Sequence, residues 1–164
     1  VITGNGTLST TTAAGYSKAT SGFLIPEAKS IHIETPLLAT ADHTANGITT
    51  LLTASETIAV GNLVYVSGNG TIGVSDADAV AKMPAFGIAV TGGDANASLV
   101  VLLQGTYRDD TYNFTAGNRL FVHTDGTATA TAPSGSSDVV QAIGVALNAD
   151  VIYFSPDMTL VEIS

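Results

Sequence analysis

The 164-residue sequence has no cysteine, no tryptophan, only five prolines and only five basic side chains. Each shortage removes a class of explanation. Without cysteine there is neither a disulfide framework nor a thiolate metal site. Five Lys and Arg stand against 14 Asp and Glu, a formal net charge of −9. A phosphate backbone repels such a chain, which argues against nucleic-acid binding through a basic patch. Aromatic residues are 6% of the total, so a core has to be built from Val, Ile, Leu and Ala. No apolar run approaches the ~20 residues that cross a bilayer as a helix, and no membrane partner is expected.

Motifs that carry chemistry are missing too. His32, His43 and His123 do not stand at a metal-ligand spacing such as H-E-x-x-H, and all three read as solvated surface. The close acid pairs are Asp76 with Asp78 and Asp109 with Asp110. Calcium takes about six to eight oxygen ligands, so these pairs read as loop charge. There is no G-x-S-x-G elbow, and no glycine-rich loop between a strand and a helix. The expectation is a protein that is not an enzyme, with no catalytic residue, no metal and no cofactor.

What is present is apolar and extended. Hydrophobic residues make up 45% and the mean hydropathy is +0.36, enough for a sizeable core. Abundant Thr, Ser, Val and Ile favour strands. One segment is also written twice. Val60-Gly61-Asn62-Leu63-Val64-Tyr65-Val66 leading to Asn69-Gly70-Thr71 matches Ala116-Gly117-Asn118-Arg119-Leu120-Phe121-Val122 leading to Asp125-Gly126-Thr127, 56 residues later. Ala85-Phe86-Gly87-Ile88-Ala89-Val90 then matches Ala142-Ile143-Gly144-Val145-Ala146-Leu147 at an offset of 57. An internal repeat sets the architecture before any single element does. Two copies are too few for a solenoid, so the repeat predicts one pseudo-symmetric domain.

The Asn-Gly and Asp-Gly pairs predict hairpins with type I′ turns between strands at 63–67 and 71–75, and at 119–124 and 127–131. Further strands are expected at 31–34, 48–53, 99–103, 151–154 and 158–163, with Asn46-Gly47 as a turn before Ile48. Gly87 and Gly144 fall inside strand patterns, where glycine marks a bulge or a close backbone approach. Only residues 76–82 have any helical flavour. Short strands and frequent turns predict an all-β fold, a small barrel or sandwich built from two pseudo-repeated β units. Residues 1–22 read as an extended N-terminal arm and residues 23–164 as the β domain, with repeats at about 58–104 and 114–158.

The second unit carries a likeness. Ala116-Gly117-Asn118-x-Leu120-Phe121-Val122, Gly126-Thr127, Ala132-Pro133, Val140-Gln141-x-Ile143-Gly144-Val145-Ala146 and Ile152-Tyr153-Phe154-Ser155-Pro156 together resemble the C-terminal β domain of tailed-bacteriophage virion proteins. These include head decoration (cement) proteins and some tail-fibre proteins, and the likeness covers roughly residues 54–164. It implies a structural protein on the capsid surface of the virion that binds the outer shell and stabilises it. The implied partners are the major capsid protein and copies of itself as a homotrimer, with no nucleic acid. The arm and the apolar segment after it would supply partner contacts through Val1, Ile2, Leu8, Phe23, Leu24 and Ile25. Tyr107, Tyr112 and Phe114, around a polar loop at 105–116, are further candidates for contacts. The competing expectations are a tail-fibre or receptor-binding module and a subunit of an extracellular filament.

Overall fold

The computed structural model describes residues 41–164 and two short strands near the start, β1 (Ile2–Thr3) and β2 (Thr7–Leu8). The chain divides into two units, Val1–His32 and Ile33–Ser164. In the first unit β1 and β2 pair antiparallel, Ile2 opposite Leu8 and Thr3 opposite Thr7. The start of the expected arm therefore holds two short paired strands. Val1, the Phe23–Leu24–Ile25 segment and the strand expected at 31–34 lie outside the described residues.

The second unit is all β. Its strands are β3 (Ala45–Ala54), β4 (Leu63–Val66), β5 (Thr71–Val74), β6 (Gly87–Ala89), β7 (Ser98–Arg108), β8 (Arg119–Val122), β9 (Ala128–Thr129), β10 (Val139–Val140), β11 (Ala142–Ala146), β12 (Val151–Phe154) and β13 (Val161–Glu162). One helical turn, Val80–Lys82, is all that comes of the helical flavour at 76–82. Nine strands form one sheet in the order β3-β5-β4-β6-β7-β12-β11-β8-β9, and β3 also pairs with β7. That extra pairing runs the hydrogen-bonded neighbours β3, β5, β4, β6 and β7 round into a closed ring, which leaves those strands few open edges.

The duplication is visible in this order. From β5 to β7 the strands run β5-β4-β6-β7, and from β9 to β12 their repeat counterparts run β9-β8-β11-β12. The halves meet head to head where β7 pairs antiparallel with β12, Val151 opposite Arg108 and Phe154 opposite Gly105. Local details repeat as well. Gly61 (φ +86°) and Gly117 (φ +88°) take the same left-handed conformation. The Asn62 side chain accepts from the Ala59 N–H at 2.9 Å, as Asn118 does from the Thr115 N–H at 3.0 Å. Gly61 N–H donates to Ala89 O and Gly117 N–H to Ala146 O, each at 2.8 Å. Glycine third in such a turn supplies the positive φ that a type II turn requires.

Both faces of the first half are buried, which explains its unbroken apolar words. Val64, Ala89 and Val101 point into one cluster with Ala54, Ile58, Ile72 and Leu99. Their neighbours Leu63, Ile88 and Leu102 point the other way, into a larger cluster with Tyr107, Leu120, Val122, Ile143, Ile152 and Phe154. Successive strand residues face opposite sides, so the larger cluster joins the two repeats and the smaller one fills the ring.

Three details differ from the sequence expectations. Asn46 and Gly47 lie within β3, opposite Thr106 and Gly105, because a long partner strand pairs straight through them. Residues 105–108 belong to β7, so the polar loop is shorter than expected. The hairpin turns are not type I′. Gly70 (φ +80°) and Gly126 (φ +76°) are left-handed, whereas Asn69 and Asp125 are not. Ser67 N–H reaches Thr71 O at 3.0 Å and His123 N–H reaches Thr127 O at 2.9 Å, closing three-residue loops that end in a left-handed glycine.

The second of these loops docks on the first repeat. Leu63 N–H donates to Gly126 O at 2.7 Å, and a Cβ on Gly126 would overlap Val74 Cγ1 and stand 2.8 Å from Ser75 O. A Cβ on Gly70 would meet nothing within 4 Å. Gly70→Ala is expected to cost only the left-handed strain of roughly 1–2 kcal/mol. Gly126→Ala adds overpacking of about 1–3 kcal/mol. Urea unfolding of the two variants checks this, and equal losses would show that the docking of the loop contributes little.

Candidate functional site

Thr111 and Thr127 donate their hydroxyls to Asp109 and Asp125, each at 2.6 Å and two residues apart, as local turn bonds; the exterior is more informative. Leu51 is 66% exposed, Val66 61%, Ile48 56% and Met158 55%, unusual for side chains that the rest of the chain buries so thoroughly. Ile48 lies opposite Gln104 across β3 and β7. Gln104 lines an open groove of about 330 Å³ with Phe86, Leu103, Ser155, Pro156 and Met158. Its amide donates to the Tyr153 hydroxyl at 3.1 Å and to Ser155 Oγ at 3.5 Å. An apolar floor with an amide and two hydroxyls suits contact with another protein surface, since exposed apolar patches rimmed by polar groups mark such contacts. Nothing in the sequence singled out Ile48, Leu51 or Met158, because their alternation alone does not reveal which face of a doubly covered sheet stays open.

Of the aromatic residues named as possible contacts, Tyr107 lies in β7 and is fully buried. Tyr112 and Phe114 are half-buried and pack on the larger cluster. Tyr112 stacks edge-on against Tyr107, ring centroids 6.4 Å apart, and tilts against Phe114 at 4.9 Å. Burial pushes both tyrosine hydroxyls well above their ordinary pKa; nearby Asp109 and Asp42 add to this for Tyr107, and Tyr107 and Asp109 for Tyr112. Of the arm residues, Ile2 lies in β1 and Leu8 in β2.

His43 and His123 are exposed, as the sequence predicts, and His32 lies outside the described residues; one acid reading needs revision. His123 does lie at the surface, its Nδ1 2.9 Å from Asp125 Oδ1. Asp109, expected as loop charge, is only 6% exposed. It joins Asp42 and His43 in a group whose ligand-type atoms all lie within 4.8 Å of one another. His43 Nδ1 is 3.6 Å from Asp42 Oδ2, and His43 Nε2 is 3.6 Å from Asp109 Oδ2. The Asp110 N–H donates to Asp42 Oδ1 at 2.8 Å and holds that carboxyl below its usual range, against a smaller opposing effect of desolvation. The separation of 66 positions between His43 and Asp109 (109 − 43) hides this cluster from any motif search; it exists because β3 and β7 start and end at the same level, with Arg108 N–H bonded to Thr44 O at 2.8 Å.

A family model described as phage cement protein matches residues 41–151. That span is well over half of the chain, and the chain belongs to this family. No curated protein matches it. The family places the chain on the capsid of a phage virion in a structural role, and it is not a family of enzymes.

Proposed function

We propose that this member of the phage cement family binds the outer surface of the capsid, bridges neighbouring capsid subunits and so stabilises the shell. The observation that carries the proposal is the family match across the β body, residues 41–151. The open apolar groove beside Ile48 and Met158 supports it, because it offers a partner surface on a chain otherwise short of binding groups. The contact is apolar more than electrostatic, given a net charge of −9 spread over few charged residues. Apolar burial contributes ~25 cal/mol per Å² before the cost of association. Residues 1–21 act as a second attachment, adding backbone hydrogen bonds to an edge on the shell, and Phe23, Leu24 and Ile25 add apolar area. Each attachment is weak alone. Two on one chain, repeated over a closed lattice and reinforced by contacts between copies as a homotrimer, give strong retention through avidity.

Binding to purified capsids, followed by co-sedimentation, tests this together with the melting temperature of the loaded shell. The full chain is expected to bind saturably and raise that temperature. Deleting residues 1–21 is expected to weaken binding at least ~10-fold, as loss of one of two linked attachments does. Unchanged affinity would remove the arm from the mechanism, and no binding by the full chain would remove the capsid contact itself. Light scattering of the free protein separates the competing readings. A monomer or concentration-dependent trimer fits assembly on the shell, whereas an SDS-resistant trimer fits a fibre module and open-ended polymers fit a filament.

A further inference from the structure

We propose that Asp42, His43, Asp109 and the Tyr107 hydroxyl form a binding site for a divalent first-row metal ion, of which Zn²⁺ is the best fit. Three acidic and imidazole groups close together do not make a site by themselves. The second observation is Tyr107. Its side chain is fully buried, and its hydroxyl has no hydrogen-bond partner. A buried hydroxyl left unsatisfied keeps the full penalty of its lost hydration, so it calls for a partner.

The hydroxyl is aimed at the cluster. A Cβ built on Gly61 would stand 3.2 Å from the Tyr107 hydroxyl and 3.2 Å from Asp109 Oδ2. Gly61 therefore leaves open the space that both atoms face, and its φ of +86° keeps a side chain out of it. The charges of Asp109 and Asp42 are also felt at that hydroxyl.

The two carboxylates are already set for a ligand. Asp42 uses Oδ1 to accept from the N–H groups of His43 and Asp110, both at 2.8 Å. Asp109 uses Oδ1 to accept from the Thr111 N–H at 2.9 Å and hydroxyl at 2.6 Å. In each case Oδ2 is left turned to the imidazole. Groups held this way orient metal ligands before the ion arrives. The spacing is within reach of one ion. One ligand atom from each of the three residues lies within 4.8 Å of the others, against about 3.4 Å between ligands that stand about 2.1 Å from a tetrahedral zinc. The 3.6 Å contacts of Asp42 and Asp109 are to Nδ1 and Nε2 respectively, so the exposed imidazole has to turn for one nitrogen to serve with both carboxylates. One ring nitrogen and two carboxylate oxygens leave the fourth position to water, and the Tyr107 hydroxyl is placed to hydrogen-bond to it. An imidazole among the ligands favours zinc and its first-row neighbours over Mg²⁺ or Ca²⁺.

Such an ion would tie the loop before β3 to the end of β7, so the prediction has both a binding and a stability readout. The experiment is titration calorimetry of Zn²⁺ into the chelator-stripped full chain, with Co²⁺ absorption as a second probe. One-to-one saturable binding is expected, with a raised melting temperature. His43→Gln and Asp109→Asn are each expected to weaken it at least ~10-fold, and Tyr107→Phe, which removes only the orienting hydroxyl, by ~10–100-fold. His123→Gln is expected to leave it unchanged. The inference is overturned by absence of saturable binding, by full affinity in His43→Gln, or by loss in His123→Gln, which would locate the ion at His123 and Asp125. Full affinity in Tyr107→Phe together with loss in Asp109→Asn would overturn the role assigned to the hydroxyl.

Discussion

Gly105→Ala is expected to destabilise the β body by about 3–5 kcal/mol, at the upper end of what single substitutions do. Gly47 and Gly105 face each other where β3 crosses β7. Their φ angles, +154° and +146°, keep the two backbones closer than side chains permit. A Cβ on Gly105 would overlap Asn46 O and stand 2.7 Å from Gly47 Cα; one on Gly47 would overlap Gln104 O and stand 2.7 Å from Gly105 Cα. The obstacle in each case is backbone within a paired ladder, which cannot rotate away as a flexible side chain does. The substitution thus adds overpacking of about 1–3 kcal/mol to backbone strain of about 1–3 kcal/mol. Gly144→Ala in β11 is expected to behave alike, because its Cβ would overlap Tyr153 O at φ +152°. Gly117→Ala supplies the contrast: the same type of substitution at φ +88° with nothing within 4 Å, costing roughly 1–2 kcal/mol. Chemical denaturation checks the ranking through a fall in midpoint at unchanged m. Equal losses at Gly105 and Gly117 would mean that the two strands part easily and the close crossing is not a constraint.

Those same glycines show how far the sequence can be read. Gly87 and Gly144 announce themselves, because a glycine inside an apolar run with no turn residue beside it has few other reasons to be there. Both do mark close approach; a Cβ on Gly87 would overlap Val101 Cγ1. Gly47 and Gly105 do not announce themselves. Asn46 precedes one and polar residues follow the other, so each looks like punctuation at the end of a run. Only the pairing of β3 with β7 turns two apparent turns into one crossing. The repeat is legible because hairpin loops and strand glycines act over a few residues. The closed ring is not, because it depends on β3 meeting β7 along its whole length. The same long pairing brings His43 to Asp109, so the cluster was hidden for the reason the ring was. Tyr107 lies at the end of the same pairing, and its full burial follows from its place in β7 and not from the charged Arg108, Asp109 and Asp110 beside it.

Gln141→Leu is expected to cost about 2–4 kcal/mol although it replaces a fully buried polar side chain with an apolar one of similar size. Gln141 is where the two repeats are fastened. Its Oε1 accepts from the Ala85 N–H at 2.8 Å, while Nε2 donates to Ala85 O and to Asp157 O, both at 2.8 Å. Ala85 is fully buried, so with leucine at 141 both of its backbone groups lose the amide with no water to replace it. Each orphaned group costs about 1–3 kcal/mol, and the apolar transfer gained by leucine offsets only part of that. Gln141→Ala removes the same bonds but opens a polar space large enough to admit water, which can satisfy Ala85. Leucine is therefore expected to be at least as damaging as alanine, the reverse of what filling a core by volume predicts. The position equivalent to Gln141 in the first repeat is Pro84, whose side chain can make none of these bonds, and there Ala142 O is satisfied by the Asp157 N–H at 2.9 Å. The pseudo-symmetry of the fold is thus closed by different means at its two ends, one by a side chain and the other by the C-terminal segment. Urea unfolding of the leucine and alanine variants decides the matter. If leucine proves more stable than alanine by over about 1 kcal/mol, close to the value of one buried methylene, packing and not hydrogen bonding holds the repeats together here.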